Sequence, residues 1–495
     1  MRNLENLSFV NNFARLPEVF YARLEPTPLQ SPYLVSFNES AARLIDLHPA
    51  EARRPQFAEY FGGARKLPGS EPLAMLYAGH QFGHWVPQLG DGRALLIGQV
   101  RNERGELWDL HLKGAGQTPF SRDGDGRAVL RSTVREYLCS EAMHGLGIAS
   151  SRALCMVGSD EEVYREQIEN GAMLLRMAPS HVRFGSFEVF FYRNQFERLR
   201  LLADHVIAEH YPDLKDSSEP YAGFLTEVVR RSARLIAQWQ LVGFAHGVMN
   251  TDNMSVLGLT LDYGPFGFLD DYDPGFVCNH SDHQGRYAFD RQPEVGLWNL
   301  TCLAQALLPL LDPEDGAAAV EKARSILAEY KTELVKTYAD GMRAKLGLQD
   351  SRPGDQELSD NLLKQMHANR VDYSRFFRLL ADLRLQHPAQ DSALRELFAE
   401  RDAFDSWAID YRARLHSETS QDLQRRSRMN RVNPLYVLRN YLAQQAIERA
   451  QQKDFSEIDR LLKLLAEPFC EVPGMEKYAA PPPDWGRRIL VSCSS

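Results

Sequence analysis

Residues 246–253 read His246-Gly247-Val248-Met249-Asn250-Thr251-Asp252-Asn253, and Asp262-Tyr263-Gly264 follows after a short apolar segment. Mg²⁺ prefers hard oxygen ligands and keeps several waters, so one carboxylate and one side-chain amide beside phosphates are enough to hold it. Asn253 and Asp262 are therefore candidate metal ligands. The alternative is a polar loop in which Asn and Asp side chains only stabilise turns.

The spacing in this stretch is that of a protein-kinase catalytic loop, which places Asn seven residues after His and Asp-Phe-Gly a short hairpin later. One position departs from the pattern. Kinases have the catalytic Asp two residues after His, and this chain has Val248 there. Asp252 is the nearest acid, so we expect it to act as the base or to assist the metal.

Upstream, the sequence predicts a three-stranded antiparallel meander over Val86–Leu89, Ala94–Val100 and Leu107–Leu112. Trp108, Leu110 and Leu112 alternate with Asp109, His111 and Lys113, which is typical of a half-buried strand. Lys113 then ends the polar face of the third strand.

A helix is predicted from Arg127 to His144, and it carries Glu136 without a cation three or four residues away. We expect Lys113 to be its ion-pair partner and to be held against a nucleotide phosphate. The alternative is an unrelated surface lysine and glutamate.

Two further strands are predicted, Arg152–Val157 and Ala172–Met177. Arg176 interrupts the second of these apolar strands, so it needs an anionic partner. Together with Arg183 it is a candidate phosphate ligand.

The glycine loop Leu89-Gly90-Asp91-Gly92-Arg93 lacks the kinase Gly-x-Gly-x-x-Gly and carries an acid. We expect Asp91 to repel phosphates, so that the loop covers the nucleoside end of a nucleotide. The glycines of Lys113–Gly116 and Asp123–Gly126 are either simple turns or backbone that binds anions ahead of the Glu136 helix.

The second half of the chain is mostly helical. Helices are predicted over about Phe187–His210, Tyr221–Val242, Pro293–Leu311, Gly316–Leu346, Asp355–Leu385, Ser392–Ser417 and Pro434–Glu448. One non-helical island, Gly243–Pro274, interrupts them, and Glu471–Ser495 reads as an extended tail.

These patterns predict an α+β, protein-kinase-like fold of two lobes. We expect residues 1–75 to be an extension packed on the lobes, and 76–186 a β-rich lobe with the nucleotide-binding sheet. Residues 187–470 would form a helical lobe with the catalytic loop at 246–264, followed by the tail at 471–495.

The composition excludes several classes of protein. With 57 basic and 66 acidic residues the formal charge is −9, so there is no overall basic field to attract nucleic acid. We see no signal peptide and no run approaching the ~20 apolar residues of a membrane span. Six cysteines without a Cys-x-x-Cys indicate a reducing compartment. We expect a cytoplasmic monomer without nucleic-acid or membrane partners.

Two other groups contain metal-capable donors: Cys278-Asn279-His280-Ser281-Asp282-His283, and His80 with His84. Neither has the complete ligand spacing of a known zinc site. We expect the first to be a polar loop near the cleft and the second to be ordinary packing or a helix surface.

Three strings give a more specific indication: Tyr77-Ala78-Gly79-His80-Gln81-Phe82-Gly83, Leu112-Lys113-Gly114-Ala115-Gly116-Gln117-Thr118-Pro119-Phe120-Ser121 and His246–Met254. With them the whole chain resembles the selenoprotein O family, the YdiU-type protein adenylyltransferases with a kinase-like pseudokinase fold. Cys493 is third from the end, where some members carry selenocysteine.

The resemblance implies that ATP binds flipped relative to a kinase and that AMP is transferred to Ser, Thr or Tyr hydroxyls of protein substrates. It implies a role for each matching residue: phosphate contacts from Lys113, Arg176 and Arg183, a nucleotide lining of Gly90, Gly92, Arg93, Asp125 and Gly126, Mg²⁺ on Asn253 and Asp262 with Mn²⁺ as an alternative, and proton acceptance by Asp252.

We therefore expect a Mg²⁺-dependent protein adenylyltransferase. An ordinary γ-phosphate kinase is the first alternative, and Val248 argues against it. An inactive nucleotide-binding scaffold is the second, and the presence of Lys113, Glu136, Asn253 and Asp262 argues against that. The sequence leaves open whether UTP replaces ATP, and whether Cys493 forms a regulatory disulfide, for which Cys278 is the best internal partner.

Overall fold

The computed structural model describes residues 1–387 and 391–492. It contains an eight-stranded antiparallel sheet near the N-terminus, followed by a large helical region. The strands are β1 (Tyr21–Arg23), β2 (Tyr33–Phe37), β3 (Leu73–Met75), β4 (Gly79–Gln81), β5 (His84–Val86), β6 (Ala94–Arg101), β7 (Leu107–Lys113), β8 (Ala128–Val129), β9 (Arg152–Tyr164), β10 (Ile168–Ala178), β11 (Phe244–Ala245) and β12 (Gly267–Phe268).

The main sheet has the order β1-β3-β6-β7-β10-β9-β2, and β8 pairs with β10. The predicted β6–β7 hairpin is confirmed, but the strand predicted over Val86–Leu89 is wrong. Residues His84–Val86 instead pair with β4 in a separate two-stranded hairpin. Residues 1–75, expected to be an extension, supply β1, β2 and β3 to the sheet, so the sheet begins well before residue 76.

Strand β7 is more deeply buried than its alternating pattern predicts. Every residue from Asp109 to Lys113 is buried, so the expectation of a half-buried strand is wrong. The polar face is covered because β7 lies between β6 and β10, where its polar groups find partners. The His181 backbone N–H, for example, donates a hydrogen bond to the Asp109 carboxylate (2.8 Å). The register places Arg176 of β10 directly opposite His111.

The helices account for most of the remaining chain. They are α1 (Glu39–Arg43), α2 (Pro55–Phe61), α3 (Leu130–Gly145), α4 (Phe184–Tyr192), α5 (Phe196–His210), α6 (Pro220–Val242), α7 (Gln292–Leu311), α8 (Gly316–Lys345), α9 (Asp355–Ala368), α10 (Tyr373–Leu380), α11 (Ser392–Arg395), α12 (Arg401–Ser417), α13 (Asp422–Met429), α14 (Asn440–Gln451) and α15 (Ser456–Ala466).

Most predicted helices are present, with shifted ends. The helix carrying Glu136 starts at Leu130 rather than Arg127, because residues 128–129 pair with β10 as β8. The helices predicted over 187–210, 355–385 and 392–417 are each divided in two, and α13 and α15 were not predicted. Along α6 the side chains that recur at helical spacing from Leu225 to Trp239 are buried, namely Leu225, Val228, Ser232, Leu235 and Trp239.

Among the described residues one helical segment, Phe289–Leu311, is long and apolar enough to cross a membrane. Most of its apolar window, 61%, is buried inside the protein. Its main part, α7, packs on α4, α6 and α8, which is the environment of a core helix.

The tail is packed rather than simply extended, so that expectation is wrong for its described part. Tyr478 is buried and donates a hydrogen bond to Glu457 of α15 (2.7 Å). Further along, the Val491 carbonyl accepts a hydrogen bond from the His280 backbone (2.8 Å). Cys493 lies outside the described residues.

Candidate active site

A cleft of about 770 Å³ opens between the sheet and the non-helical island at 243–274. Its walls include twelve of the residues singled out from the sequence, which are Gly90, Gly92, Arg93, Lys113, Asp125, Gly126, Arg176, Arg183, Val248, Asp252, Asn253 and Asp262.

Lys113 and Glu136 form the expected ion pair between β7 and α3, and both are buried. Glu136 also accepts a hydrogen bond from Arg176 (3.2 Å). Burial lowers the pKa of Lys113 to about 8, against the opposing charge of Glu136. Burial works against ionisation of Glu136 too, but the charges of Lys113 and Arg176 outweigh it and lower the pKa of the carboxyl group.

Asp262 is the electrostatic centre of the cleft. Its carboxylate accepts hydrogen bonds from Arg176, Arg183 and the Asn253 amide, the last at 3.2 Å. Its pKa is well below the usual range, because the charges of Arg183 and Arg176 overcome the effect of burial. Its backbone is left-handed (φ 55°), a conformation that costs energy for a non-glycine residue and is concentrated at functional sites.

The anionic partner that Arg176 was expected to need is supplied by the protein itself, through Glu136 and Asp262. Arg183 is likewise paired with Asp262 and stacks over the Tyr77 ring (4.8 Å). Both arginines line the cleft, so the same cations that neutralise Asp262 face the space where a ligand would lie.

Asn253 and Asp262 fit a hard metal ion. Asn253 turns its amide nitrogen to Asp262, and its Oδ1 is buried with no hydrogen-bond partner among the described residues. An orphaned amide oxygen beside a carboxylate is the donor set that Mg²⁺ uses together with phosphate and water. An ion bound there would share the Asp262 carboxylate with the two arginines.

Asp252 has the properties of a proton acceptor. One carboxylate oxygen accepts a hydrogen bond from Gln81 (3.1 Å), and the other, Oδ1, is buried without a partner in the part of the chain described. Burial raises the pKa of Asp252 to about 7, with Arg183 opposing the shift. A general base works best when its pKa lies near the working pH.

The glycine loop is correctly placed on the cleft, but the role expected for Asp91 is wrong. Its carboxylate is buried, accepts a hydrogen bond from the Met75 backbone (3.0 Å) and pairs with His111 Nε2 (3.0 Å). It is therefore held inward rather than as an exposed acid that repels phosphates. Gly90 has φ 126°, and a Cβ there would meet the Phe120 ring at 2.6 Å, so glycine is required.

The remaining predicted lining residues also lie on the wall of the cleft. Arg93 is exposed, and Asp125 is exposed and paired with Arg165 (2.7 Å). Gly126 has φ 71°, and an added Cβ would lie 2.1 Å from the Gly116 backbone.

Sequence reasoning missed three supporting residues. Gln81 contacts Asp252, Tyr77 lies under Arg183, and His111 accepts a hydrogen bond from Arg176 through Nδ1 (2.7 Å) while its Nε2 faces Asp91. Burial lowers the pKa of His111 to about 4, so the ring is neutral and can accept from Arg176. The polar alternation of β7 could have indicated His111. For Gln81 and Tyr77 the only signal in the sequence was their place in the string at 77–83.

The two other metal-capable groups differ from expectation in one respect. His80 and His84 lie on the two strands of the β4–β5 hairpin, so of the two alternatives expected for them, ordinary packing or a helix surface, the second is wrong. The polar loop at 278–283 does lie beside the catalytic loop: Cys278 Sγ would be 2.6 Å from a Cβ placed on Gly247.

The chain is similar to known proteins over nearly its whole length. The sequence profile described as "Protein adenylyltransferase SelO" matches residues 3–466. Proteins named "Protein nucleotidyltransferase YdiU" from Myxococcus xanthus and from Thioalkalivibrio sulfidiphilus are each 59% identical over 495 residues, covering all of both chains. One from Thiobacillus denitrificans is 57% identical over 498 residues, again with full coverage.

Proposed function

Because this chain belongs to the SelO family of protein adenylyltransferases, it is a protein nucleotidyltransferase, and we propose that it transfers AMP from ATP to Ser, Thr or Tyr hydroxyls of other proteins. The observation that carries this proposal is the arrangement around the cleft. A carboxylate with pKa about 7 lies beside an orphaned amide oxygen, and three cations face the same space.

In the proposed reaction the acceptor hydroxyl attacks the α-phosphorus, and pyrophosphate leaves. Asp252 takes the hydroxyl proton, and Gln81 holds its carboxylate through a hydrogen bond to Oδ2. Lys113, Arg176 and Arg183 stabilise the negative charge that grows on the phosphate oxygens. Mg²⁺ or Mn²⁺, held by Asn253 and Asp262, would neutralise further phosphate charge when bound.

The proposal includes a two-lobed, kinase-like arrangement with the nucleotide reversed. Asp91 no longer supports the reversal, since its charge is turned inward toward His111. Two observations still do. Val248 lines the cleft where a kinase has its base, and the paired Arg176 and Arg183 lie deep in the cleft beside the metal ligands, where the phosphates would need charge.

The test is transfer of label from ATP to protein. With α-phosphate-labelled ATP the label should remain on protein, and with γ-phosphate-labelled ATP it should leave in pyrophosphate. The reverse result would indicate a kinase, and ATP binding without either label would indicate a scaffold. α-Labelled UTP in a parallel reaction decides which nucleotide is preferred.

The composition also supports a setting for this activity. We propose a monomer that acts in the cytoplasm on protein substrates, without nucleic-acid or membrane partners, on the basis of the −9 charge and the sparse cysteines.

A further inference from the structure

Outside the cleft, three side chains with metal-binding atoms converge from separate elements. They are His80 on β4, Glu188 on α4 and Cys302 on α7. One potential ligand atom from each lies within 4.8 Å of the other two, and His80 Nδ1 is 2.6 Å from Glu188 Oε1. The side chain of Glu188 is 0% exposed and that of His80 is 12% exposed.

Glu188 is the unusual member of this group. It lies on the apolar helix α4 with buried Phe187, Val189 and Phe190 as neighbours in sequence. Its second oxygen, Oε2, is buried and has no hydrogen-bond partner among residues 1–387 and 391–492. A buried carboxylate oxygen without a partner is costly, so a cation bound at this oxygen would stabilise the arrangement.

We propose that His80, Glu188 and Cys302 bind a zinc ion, at a site separate from the nucleotide-associated metal. Imidazole nitrogen, carboxylate oxygen and thiolate sulfur are all zinc ligands, and three protein ligands leave a fourth position for water. This donor set is unlike Asn253 and Asp262, whose hard oxygens suit Mg²⁺ or Mn²⁺.

The ligand atoms need only small movements to hold the ion. Ligands of a tetrahedral zinc ion are roughly 3.5 Å apart, given bonds of about 2.0–2.3 Å. The His80–Glu188 hydrogen bond would open, Cys302 would move inward, and the Cys302 thiol would release its proton to the buffer as the sulfur–zinc bond forms.

The position of the site indicates what the ion would do. The His80 backbone donates a hydrogen bond to Thr251 Oγ1 (2.7 Å), and the next residue, Gln81, contacts Asp252. An ion joining β4 to α4 and α7 would therefore anchor the strand that orients the catalytic loop. It would not touch the reacting atoms.

Cobalt(II) titration of the chelator-treated full-length protein tests the proposal, because a cobalt–thiolate bond gives a charge-transfer band in the near ultraviolet that oxygen-only sites do not give. We expect the band to reach its limit at one equivalent and to be displaced by zinc. Cys302→Ser should abolish it, and Glu188→Gln should weaken binding by about 100-fold, the scale on which metal sites respond to lost partners.

Cys470→Ser and Cys278→Ser are the matched controls, since Cys470 is exposed and Cys278 belongs to the separate loop beside the cleft. Both should keep the band, as should Asp262→Asn. Absence of a thiolate band in the wild-type protein would overturn the proposal. So would a band that survives Cys302→Ser or disappears in Cys278→Ser. The wild-type result decides even if a variant does not fold.

Discussion

Adjacent residues at the cleft are prepared for different chemistry by their surroundings. Asp252 and Asn253 each bury an oxygen that has no partner in the described part of the chain. Asp252 has a raised pKa because it is buried, which suits proton transfer. Asn253 keeps a neutral oxygen beside Asp262, whose pKa is low, which suits a metal ion at any physiological pH.

Replacing Asp262 tests the metal ligand directly. Asp262→Asn should reduce label transfer by about 10²–10³, because loss of one charge-stabilising group in a closed site has that effect. Initial rates at saturating ATP and Mg²⁺ measure this. Asp273→Asn, an exposed acid of the same region, is the control and should keep the wild-type rate. Metal-dependent transfer at the wild-type rate in Asp262→Asn would remove the assignment.

Asp252 should give the rate a pH dependence. Because Asp252 works as a base only when deprotonated, transfer should rise with pH through about 7, and it should fall again above about 8 as Lys113 loses its positive charge. Gln81→Met removes a hydrogen bond that lowers the pKa of Asp252, so the rising limb should move to higher pH. The pH profile of kcat/KM measures this shift.

The control for that profile is Gln88→Met, which changes an exposed glutamine directly before the glycine loop. It should leave the profile unchanged. A Gln81→Met profile identical to wild type, with only a lower plateau, would mean that Gln81 does not act through Asp252.

At the scale of elements, the sequence of strand β7 predicts which side chains share a face but not how deeply that face is buried. Its alternation placed Asp109, His111 and Lys113 on one face, which is correct. The expectation of a half-buried strand failed because burial depends on what packs against that face, and the local pattern does not contain that information. Here Gln99, Arg176 and His181 come from distant positions and satisfy the polar groups.

The prediction for Asp91 in the glycine loop was wrong for the same reason. An acid between two glycines is typical of an exposed turn in a sequence. Only the structure shows that the Asp91 carboxylate is buried, where it accepts a hydrogen bond from the Met75 backbone and pairs with His111. By contrast, Lys113 and Glu136 could be paired from sequence, since Glu136 has no cation three or four residues away on its helix and Lys113 ends the preceding strand.

Removing one or the other partner of the Lys113–Glu136 pair between β7 and α3 should destabilise the protein by different amounts. Glu136→Gln leaves a buried lysine without its anionic partner and should lower the free energy of unfolding by about 3–5 kcal/mol. Lys113→Met should cost less, because Glu136 keeps Arg176. Denaturant unfolding measures both changes.

Both variants should also lose most transfer activity, and the double variant should be much less impaired than the product of the two losses predicts, because the residues act as a unit. Fully additive effects on rate would mean that the pair has no joint role. Equal destabilisation by the two single changes would mean that Arg176 does not support Glu136.

At the scale of the whole molecule, the fold brings the last described part of the tail, at Val491, back to the polar loop at 278–283 beside the catalytic loop. The sequence predicted the order of sheet, helices and island, because these depend on local periodicity. The sequence wrongly predicted an unpacked tail. Prolines indicate that a segment lacks regular secondary structure, but they do not show whether it packs against the rest of the protein. The Val491 carbonyl in fact meets the His280 backbone, two residues from Cys278.

This return supports the prediction that Cys278 and Cys493 form a disulfide. Two thiols would give up two electrons and two protons to added hydrogen peroxide, which becomes two waters. Cys278 abuts Gly247, whose φ of 78° and lack of a side chain leave no spare space. A covalent tether at Cys278 should therefore restrain the catalytic loop, and oxidised protein should transfer AMP more slowly than reduced protein.

Transfer rates and non-reducing peptide maps of the oxidised and reduced protein check this prediction. Cys278→Ser and Cys493→Ser should each remove both the linked peptide and the effect of oxidation on the rate, whereas Cys470→Ser, an exposed cysteine elsewhere, should change neither. A linked peptide containing a different cysteine would reject the pairing. Equal rates before and after complete linkage would contradict the prediction that the disulfide slows transfer, which holds only if motion of the catalytic loop limits the rate.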